Sequence, residues 1–323
     1  MRDLIVLTGA TAVGKTELSL ELAAKIRAEI ISVDSMQIYQ DMDIGTAKVS
    51  ENERDSIKHH LLDFLPPDQD YSVSKFQTDC DQTIAEIKSR DKIPLLVGGT
   101  HLYLRSVLEG FMLPEIEPDY GLRENLNQLA EEKGREAVHQ ILAEKDPKTA
   151  EKLHPNDLRR VIRAVEIFEQ TGKTKSFYKK KQEKRPPRYS AYKFALVRSR
   201  ENLYQRINQR VDLMMENGLL EEVKLLLNKY DKLSDTAQQA LGYKELISYL
   251  NDQLSLEEAV YEIKKRSRHF AKRQLTWLRK EEGLIVFDIE KEDKDFILTE
   301  MLKIIKGEKN YEQEYKKRKE IDF

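Results

Sequence analysis

The most constraining feature of the sequence is a glycine-rich segment near its start. Residues 9–16 read Gly-Ala-Thr-Ala-Val-Gly-Lys-Thr, which matches the pattern G-x-x-x-x-G-K-[ST]. The segment follows a strand-like apolar run at residues 4–7 and precedes residues 15–26, whose apolar spacing predicts a helix. A loop of this kind turns backbone N–H groups toward an anion, and the helix adds the positive end of its dipole. The sequence therefore predicts a strand, a phosphate-binding loop (P-loop) and a helix, in that order.

The residues of this loop have distinct expected roles. We expect Gly9 and Gly14 to permit the backbone conformation, Lys15 to neutralise phosphate oxygens and the Thr16 hydroxyl to ligate Mg²⁺. The predicted diphosphate-binding loop consists of Gly9, Ala10, Thr11, Ala12, Val13, Gly14, Lys15 and Thr16. The motif suits ATP, GTP or another diphosphate-bearing ligand equally well, so a nucleotide-binding kinase stays open at this point.

The first part of the chain alternates short apolar runs with amphipathic segments. Strand-like runs at residues 4–7, 29–33 and 93–97 alternate with helical patterns at residues 15–26 and 73–88. This order predicts parallel strands joined by crossover helices, with ligands bound at the edge where the strands end. We predict an α/β fold with a P-loop NTPase-like parallel sheet, flanking helices and a helical insertion domain.

The middle of the chain is predicted to form the helical insertion domain. Residues 115–189 show helical patterns without a convincing strand, after Pro114 and up to Pro186 and Pro187. We predict a discontinuous catalytic core formed by residues 1–114 and 190–305.

The later part of the core is predicted to be mostly helical. Residues 192–197 resume a strand-like pattern, and helices are predicted at residues 202–228, 242–250 and 256–280. Residues 306–323 mix both charges densely, which predicts a frayed or disordered tail.

Composition limits the classes of protein that fit. The 323 residues are 40% hydrophobic, enough for a substantial core, and 55 Lys and Arg against 57 Asp and Glu give a net charge of −2. Any nucleic-acid surface must therefore come from local clustering of basic residues. A single cysteine, Cys80, excludes an intrachain disulfide and fits a reducing compartment. No apolar run approaches the roughly 18 residues that span a bilayer. We expect a soluble cytoplasmic protein without a signal peptide, not bound to a membrane and monomeric.

Further motifs carry a resemblance to a known family. They lie at residues 33–39, 42–48, 59–63, 71–73, 98–100 with 102–103, 154–157 with 159–160, 239–245 and 272–277. Together with the P-loop they extend over most of the chain, and the sequence resembles tRNA dimethylallyltransferases, also called isopentenyltransferases. The resemblance implies transfer of a dimethylallyl group from dimethylallyl diphosphate to N6 of adenosine 37, beside the tRNA anticodon, with Mg²⁺ as cofactor. Eukaryotic members often carry a Cys₂His₂ zinc finger, which one cysteine cannot form, so the chain resembles the bacterial form.

The resemblance implies catalytic roles for Asp34, Thr100, Lys15 and Arg210. Asp34 follows a predicted strand at the ligand edge, and the family assigns its counterpart to the adenine N6 amine. From position alone, a Mg²⁺ ligand or a helix cap stays open. Thr100 follows two glycines after another strand, and its counterpart hydrogen-bonds the bridging diphosphate oxygen; a helix N-cap is the alternative. Arg206 and Arg210 share a predicted helix face, and the family places Arg210 against the diphosphate, with a solvated face as the alternative.

Two basic segments favour a nucleic-acid partner. Residues 173–188 contain eight basic residues and one acidic residue, with Phe177 and Tyr178 among them, and residues 262–280 again contain eight and one. A basic stretch alone is usually a solvated face. The resemblance implies that the insertion grips the tRNA anticodon stem-loop and that the adenosine is flipped into a channel. The predicted tRNA-binding residues are Asp34, Ser35, Met36, Gln37, Thr100, Arg123, Arg159, Arg160, Arg163, Gln239, Gly242, Tyr243, Lys244, Lys272, Arg273, Gln274, Trp277 and Arg279.

Other functions remain as alternatives. A P-loop nucleotide kinase shares the cradle, and an adenylate isopentenyltransferase, which prenylates free AMP or ADP, shares much of the core. An RNA-binding module that uses the P-loop as a nucleotide switch has no need of Asp34 and Thr100. We expect His59 and His60 to be structural and not metal ligands. A catalytic Cys80 is disfavoured because Asp79 and Asp81 oppose a thiolate.

Overall fold

The computed structural model describes residues 2–112, 114 and 116–318. The chain divides into two compact units, one formed by Met1–Leu108 with Arg188–Phe323 and the other by Glu109–Pro187. The second unit begins earlier than the insertion predicted at residues 115–189. The reason is that the Gln182 side chain accepts from the Met112 N–H at 2.8 Å and donates to the Glu109 carbonyl at 2.8 Å, which ties the connecting segment to this unit.

A parallel sheet forms the centre of the first unit. In the described part of the chain it has six strands in the order β3-β2-β4-β1-β5-β6, and every neighbouring pair is parallel. The strands are β1 Leu4–Gly9, β2 Ala28–Val33, β3 His59–His60, β4 Ile93–Gly98, β5 Ala191–Val197 and β6 Leu284–Asp288. The predicted α/β fold with a parallel sheet is confirmed.

Helices on the two faces bury this sheet. The strands β1, β2 and β6 are buried along their whole length, as expected for a parallel sheet covered on both sides. The helices of this unit are α1 Lys15–Ile26, α2 Glu51–Ser56, α3 Val73–Ser89, α4 His101–Glu109, α10 Arg200–Glu216, α11 Leu219–Lys229, α12 Tyr243–Leu250, α13 Leu256–Leu278, α14 Lys294–Ile305 and α15 Tyr311–Arg318. The helix predicted at residues 202–228 is two helices, because Gly218 adopts a left-handed conformation (φ +94°) that ends α10 and begins α11.

The second unit is helical and has its own core. Its helices, numbered in chain order after α4, are α5 Tyr120–Lys133, α6 Arg135–Lys145, α7 Pro147–Ala150, α8 Leu158–Thr171 and α9 Lys175–Gln182. Buried apolar residues from α5, α6 and α8 pack together, among them Leu126, Val138, Leu142 and Val165. The unit therefore has the packed interior of a small helical domain.

Two strands were not identified from the sequence. The β6 segment is a five-residue apolar run, and periodicity alone does not separate such a run from a buried helical turn. The β3 strand has only two residues, and both histidines are structural, as expected. His60 Nε2 lies 2.6 Å from the buried Glu29 carboxylate, and His59 Nδ1 lies 2.7 Å from the Ile57 carbonyl. The described residues contain no cluster of three metal-ligating side chains of the His, Cys, Asp or Glu type.

The prediction of a frayed tail from residue 306 is wrong for the described residues. Helix α15 packs on the sheet edge through Tyr311, whose hydroxyl donates to the Gly283 carbonyl and accepts from the Lys193 N–H at 2.9 Å. At the end of the helix, the buried Arg318 donates to Glu292 at 2.8 Å. One aromatic ring and one long-range ion pair thus order a segment whose composition predicts disorder, while residues 319–323 lie outside the described residues. In the part of the chain that is described, no helix has the length and apolarity to cross a membrane.

Candidate active site

The glycine-rich loop joins β1 to α1, as its pattern predicts. Gly9 has φ +153°, and a Cβ there would lie 2.7 Å from the Leu196 carbonyl oxygen of the neighbouring strand β5. Gly14 has φ +110°, at the residue before α1 begins. Both values lie in the region that side chains rarely allow, so glycine is required at each end of the loop. The loop is therefore held tightly between the end of a strand and the start of a helix, the arrangement that binds phosphate.

Lys15 lies in an environment that disfavours its positive charge. Its Nζ atom donates to the Gly9 carbonyl at 3.0 Å and to the Ala10 carbonyl at 2.8 Å. Burial and the nearby Arg210 guanidinium lower the pKa of Lys15 to about 8, although the Asp34 carboxylate opposes this shift. An anion placed against Lys15 would favour the charged form and raise this pKa.

This shift predicts a pH dependence of diphosphate binding. Below about pH 8 Lys15 is already charged, whereas above it an incoming anion must also drive protonation of the amine. We expect the affinity for inorganic diphosphate to fall as the pH rises from about 7.5 to 9, with proton uptake on binding. Calorimetry in buffers of different ionisation enthalpy measures that uptake. If the diphosphate affinity of the wild-type chain changed as little with pH as that of Lys15→Met, the lowered pKa could not be assigned to Lys15.

Asp34 and Thr100 meet where two adjacent strands end. The strand β2 pairs with β4 up to Val33 opposite Gly98, so the residues that follow these strand ends are neighbours. The Thr100 hydroxyl oxygen accepts from the Ser35 N–H at 3.2 Å, and the Asp34 carboxylate accepts from the Met36 N–H at 2.9 Å. The Thr100 side chain therefore links the two loops. The Asp34 carboxylate is fixed in a tight turn, with one oxygen engaged by the backbone.

These residues line a cavity of about 320 Å³ in the first unit. Its lining includes the polar residues Asp34, Thr100 and Arg210 and the P-loop residue Thr11. It also includes the apolar residues Met36, Ile207, Val211, Met214, Ile263 and Phe270. A cavity that combines charged groups beside a P-loop with hydrocarbon side chains suits an amphiphilic ligand.

Arg210 lies between this cavity and a second one. It comes from α10 and, with Met214, also lines a cavity of about 460 Å³ whose wall includes Asp43, Lys48 and Arg54. Burial lowers the pKa of Arg210, and the negative charge of Asp34 opposes that effect. An arginine stays protonated in this setting, so the guanidinium is a fixed positive charge close to both Asp34 and Lys15. The structure thus brings together the four residues predicted to be catalytic.

Comparisons with known proteins agree with this geometry. A family model described as IPP transferase matches residues 37–281, and one described as isopentenyl transferase matches residues 2–66. A relative from Halothermothrix orenii named tRNA dimethylallyltransferase is 51% identical over 301 residues, which cover 93% of this chain and 92% of the relative. A relative of the same name from Bacillus subtilis is 48% identical over 290 residues, 89% of this chain and 91% of its own.

Solved structures give the same result. The tRNA isopentenylpyrophosphate transferase of Bacillus halodurans is 41% identical with a TM-score of 0.70, over 97% of this chain and 98% of that one. A eukaryotic dimethylallyltransferase described as acting on tRNA is 31% identical with a TM-score of 0.77, over 94% of this chain and 79% of that one. The chain belongs to the tRNA dimethylallyltransferase family. The resemblance found in the motifs is confirmed, and the protein is a prenyltransferase of the class that modifies tRNA.

In this member of the tRNA dimethylallyltransferase family, one carboxylate holds the loop after β2 in place. Glu222 on α11 accepts from the N–H groups of Asp43, Ile44 and Gly45 at 2.9, 2.7 and 3.2 Å. It also accepts from the Tyr243 hydroxyl at 2.5 Å. Asp43 and Ile44 line the larger cavity and Gly45 and Thr46 line the smaller one, so Glu222 shapes the site without entering it. No local signal identifies Glu222, because its partners are about 180 residues away in the sequence.

Four residues predicted to contact tRNA make contacts within the first unit. The Gln37 amide donates to the Thr46 and Ala47 carbonyls at 3.1 and 3.2 Å. Tyr243 is fully buried, and its ring lies 2.4 Å from where a Cβ at Gly45 would be. These two side chains therefore fold the loop of residues 43–47 against the rest of the unit.

Gln274 and Trp277 anchor α13 to the catalytic loops. Gln274 is buried, accepts from the Thr11 N–H at 2.9 Å and donates to the Gly99 carbonyl at 3.0 Å, so it connects the P-loop to the Thr100 loop. The Trp277 ring stacks on the buried His101 ring, with centroids 3.9 Å apart and an interplanar angle of 11°. The family resemblance predicts that both residues contact tRNA, and in the structure their side chains contact the P-loop, the Thr100 loop and His101.

The outer face of α13 carries the remaining predicted residues. Lys272, Arg273 and Arg279 are exposed, and Arg273 also lines the smaller cavity. Earlier on the helix the basic side chains have protein partners: Lys264 pairs with Asp212 at 2.5 Å and Lys265 with Glu262 at 2.7 Å. A positive surface therefore remains at the C-terminal half of α13.

Two residues predicted to contact tRNA, Gln239 and Gly242, belong to the turn before α12. Gln239 is exposed and lines the smaller cavity, and its side-chain oxygen accepts from Lys244 Nζ, at the start of α12, at 2.7 Å. Gly242 has φ +94° and precedes α12. Ser35 and Met36, after β2, line the same cavity. The predicted tRNA-binding residues that line it are Asp34, Ser35, Met36, Thr100, Gln239, Gly242 and Arg273.

In the second unit, a buried glutamate holds two of the predicted tRNA contacts. Arg123 binds both oxygens of Glu166, at 2.8 and 2.9 Å, and Arg163 donates to the same carboxylate at 2.5 Å. Burial favours the neutral form of Glu166, but these hydrogen bonds outweigh it and lower the pKa of its carboxyl. Arg159 and Arg160 are exposed at the start of α8. The structure therefore gives Arg123 and Arg163 a role in the core of the unit and leaves Arg159 and Arg160 at its surface.

Cys80 is buried on α3 and unreactive. Burial raises the pKa of its thiol, and the neighbouring Asp81 and Asp79 raise it further. The expectation that this cysteine is not a nucleophile agrees with the structure.

Proposed function

We propose that the protein transfers the dimethylallyl group of dimethylallyl diphosphate to N6 of adenosine 37 in tRNA, giving N6-dimethylallyladenosine and diphosphate. The observation that carries the proposal is the cavity that combines Asp34, Thr100 and Arg210 with a hydrocarbon wall beside the P-loop. The names of the relatives support it, since they are tRNA dimethylallyltransferases, and a structural neighbour is described as acting on tRNA.

The two ends of the donor match the two kinds of residue that line the cavity. The diphosphate would bind the loop amides, Lys15 and Arg210, while the branched five-carbon chain would lie on Met36, Val211, Met214 and Phe270. A nucleotide kinase needs no such hydrocarbon wall next to its phosphates, because a phosphoryl acceptor is polar. The apolar lining therefore favours a prenyl donor over ATP in this site.

The proposed reaction is a displacement at an allylic carbon. The bond between C1 and the bridging oxygen breaks, that oxygen keeps the electron pair, and the adenosine N6 lone pair forms the new bond to C1. Lys15, Arg210 and the loop amides stabilise the charge that develops on the leaving diphosphate, and the Thr100 hydroxyl donates toward the bridging oxygen. The N6 amine loses a proton, which the Asp34 carboxylate accepts through the oxygen that the Met36 N–H leaves available.

A magnesium ion fits the residues at the start of α1. Thr16 is exposed there, and the described residues offer no cluster of three acidic or histidine side chains. Mg²⁺ commonly takes few protein ligands and keeps waters and substrate phosphates, so one hydroxyl beside a phosphate cradle suits it. When bound, the ion would neutralise charge on the diphosphate oxygens, with Thr16 as its protein ligand.

The proposal places the enzyme in the cytoplasm as a monomer. A single buried cysteine is compatible with a reducing compartment, and the predicted substrate tRNA is found there. Sedimentation of the purified chain alone and with tRNA measures the state of association.

The decisive experiment compares acceptors. The purified protein is incubated with Mg²⁺, labelled dimethylallyl diphosphate and either unmodified tRNA or AMP, and the labelled product is digested to nucleosides. Label in the adenosine beside the anticodon supports the proposal. Label in AMP would instead indicate an adenylate isopentenyltransferase. Hydrolysis or transfer of the ATP γ-phosphate, with no prenyl transfer, would indicate a kinase.

The exposed basic residues of α13 allow a test of tRNA binding. Replacing Lys272 and Arg273 by alanine should weaken tRNA binding and reduce the slope of log Kd against log salt concentration by about one to two, because each phosphate contact releases counterions. Lys264→Ala with Lys265→Ala is the matched control. It removes the same charge from the same helix, but from side chains already paired with Asp212 and Glu262. Equal losses of tRNA affinity in the two double variants would show that binding depends only on the net charge of the helix.

A further inference from the structure

Two arginines contact the P-loop from its outer side. Arg206 on α10 donates through Nε to the Ala12 carbonyl at 2.9 Å, and Arg198, at the end of β5, donates through Nε to the Val13 carbonyl at 3.0 Å. Consecutive carbonyls of the loop are therefore each held by a guanidinium. Arg198 is further fixed by a 3.3 Å hydrogen bond to the Asn202 side chain.

Holding a carbonyl also orients an amide. A peptide unit is planar and trans, so its C=O and N–H point in opposite directions. Fixing the Ala12 carbonyl toward Arg206 therefore turns the Val13 N–H away from Arg206, where it donates to the Ala10 carbonyl of the same loop at 3.4 Å. Fixing the Val13 carbonyl toward Arg198 turns the Gly14 N–H away from Arg198 in the same way. Amides on the inner side of such a loop are the donors that a phosphate cradle uses.

The Ala12 peptide needs the hydrogen bond from Arg206 for a second reason. Ala12 has φ +63°, in the left-handed region that residues with a Cβ avoid. The Ala12 conformation is therefore maintained by contacts from outside the loop, and the Ala12 carbonyl accepts a hydrogen bond from Arg206. Such a contact gives α10, which also carries Arg210, a second connection to the diphosphate site.

We propose that Arg206 and Arg198 are positioning residues that keep the P-loop amides turned toward the diphosphate, with Arg206 stabilising the left-handed conformation of Ala12. This role differs from that of Arg210, which lines the cavity. It also differs from the direct phosphate contact that the spacing of Arg206 and Arg210 on one helix face suggests.

The inference predicts a specific rescue. Arg206→Met should raise the Kd for dimethylallyl diphosphate and for inorganic diphosphate by about fivefold to thirtyfold, the factor that corresponds to one left-handed residue losing its support. In an Ala12→Gly background the same Arg206→Met change should raise these Kd values by at most about threefold, because glycine adopts positive φ without strain. Arg206→Lys, which can still donate to the carbonyl, should lie between the wild type and Arg206→Met.

Controls separate this role from loss of charge or of folding. Arg200→Met removes a positive charge from the same helix, at a side chain that lies over the Tyr204 ring 5.2 Å from its centroid, and should leave the diphosphate Kd unchanged. The thermal midpoint of each variant is measured in parallel. The opposite result is that Arg206→Met weakens diphosphate binding by the same factor in the wild-type and Ala12→Gly backgrounds. That result would show that Arg206 contacts the phosphate directly and would overturn the inference.

The inference rests on the proposed function, and Lys15→Met distinguishes the two failures. If Lys15→Met leaves diphosphate binding unchanged, the loop is not the diphosphate site and the proposed function fails. If Lys15→Met abolishes binding while Arg206→Met and Arg198→Met do not weaken it, the site stands and the positioning role is wrong. The two KM values of Arg206→Met give a second readout. The KM for dimethylallyl diphosphate should rise, and the KM for tRNA should stay unchanged.

Discussion

Replacing Asp34 by asparagine should lower the turnover number by about 10²–10⁴-fold, the range for loss of a general base. Asparagine keeps the side-chain oxygen that accepts from the Met36 N–H at 2.9 Å, so the turn after β2 should survive. What the substitution removes is the negative charge beside Lys15 and Arg210 and the capacity to take the N6 proton. We therefore expect dimethylallyl diphosphate to bind as tightly as before, or more tightly, while transfer to tRNA slows.

The measurement is single-turnover transfer of labelled dimethylallyl to tRNA, with diphosphate binding followed separately. Asp41→Asn is a suitable control, because Asp41 follows the same strand but pairs with Lys229 and Tyr230 at 2.7 Å each. It should retain near-normal transfer. Normal transfer by Asp34→Asn would exclude the general-base role, and a matching loss in Asp41→Asn would point to a general disturbance of the loop.

Replacing Lys15 by methionine should have the second large effect, on diphosphate binding and on transfer together. Methionine keeps the length and apolar stem of lysine but removes the charge that faces the leaving group. Removal of one donor to a developing oxyanion typically costs about 10²–10³-fold in rate. The Kd for dimethylallyl diphosphate should also rise, because the same charge neutralises the bound diphosphate. The affinity for tRNA should change little.

Lys25→Met provides the comparison for Lys15→Met. Lys25 is exposed in the last turn of the same helix, so it reports on loss of charge and on helix stability without touching the loop. Isothermal calorimetry with dimethylallyl diphosphate, from pH 7 to 9, measures affinity and proton uptake in both variants. Proton uptake should vanish in Lys15→Met and persist in Lys25→Met. Tight binding with normal transfer in Lys15→Met would remove the P-loop from the mechanism.

Much of the first unit could be predicted from local sequence. The strand, glycine-rich loop and helix at its start are encoded by adjacent residues, and α1 begins and ends at the residues that the periodicity indicates. The convergence of Asp34 and Thr100 also follows from sequence, because residues after parallel strands lie at the same edge of a sheet. Arg198 follows a strand in the same way, so attention to the residue after β5 would have identified it.

Other predictions failed where a distant contact decided the outcome. The charged segment from residue 306 has the composition of a disordered tail, yet the Tyr311 and Arg318 contacts with the edge of the sheet order it as a helix. Gln274 lies in a basic motif, and its burial against Thr11, 263 residues earlier, could not be inferred from that motif. Arg123 and Arg163 are predicted to contact tRNA, and the sequence does not show that both bind the buried carboxylate of Glu166.

The sequence by itself determined the local chemistry of this protein: a phosphate cradle, a parallel sheet around it, a carboxylate and a hydroxyl at the strand ends, and membership of the tRNA dimethylallyltransferase family. The tertiary structure alone decided which polar side chains face the ligand and which support the loops. Glu222, Gln274, Arg198 and Arg206 all hold backbone groups of loops that are far away in sequence. Motifs and periodicity describe neighbours along the chain, whereas a side chain's hydrogen-bond partner depends on how distant elements pack.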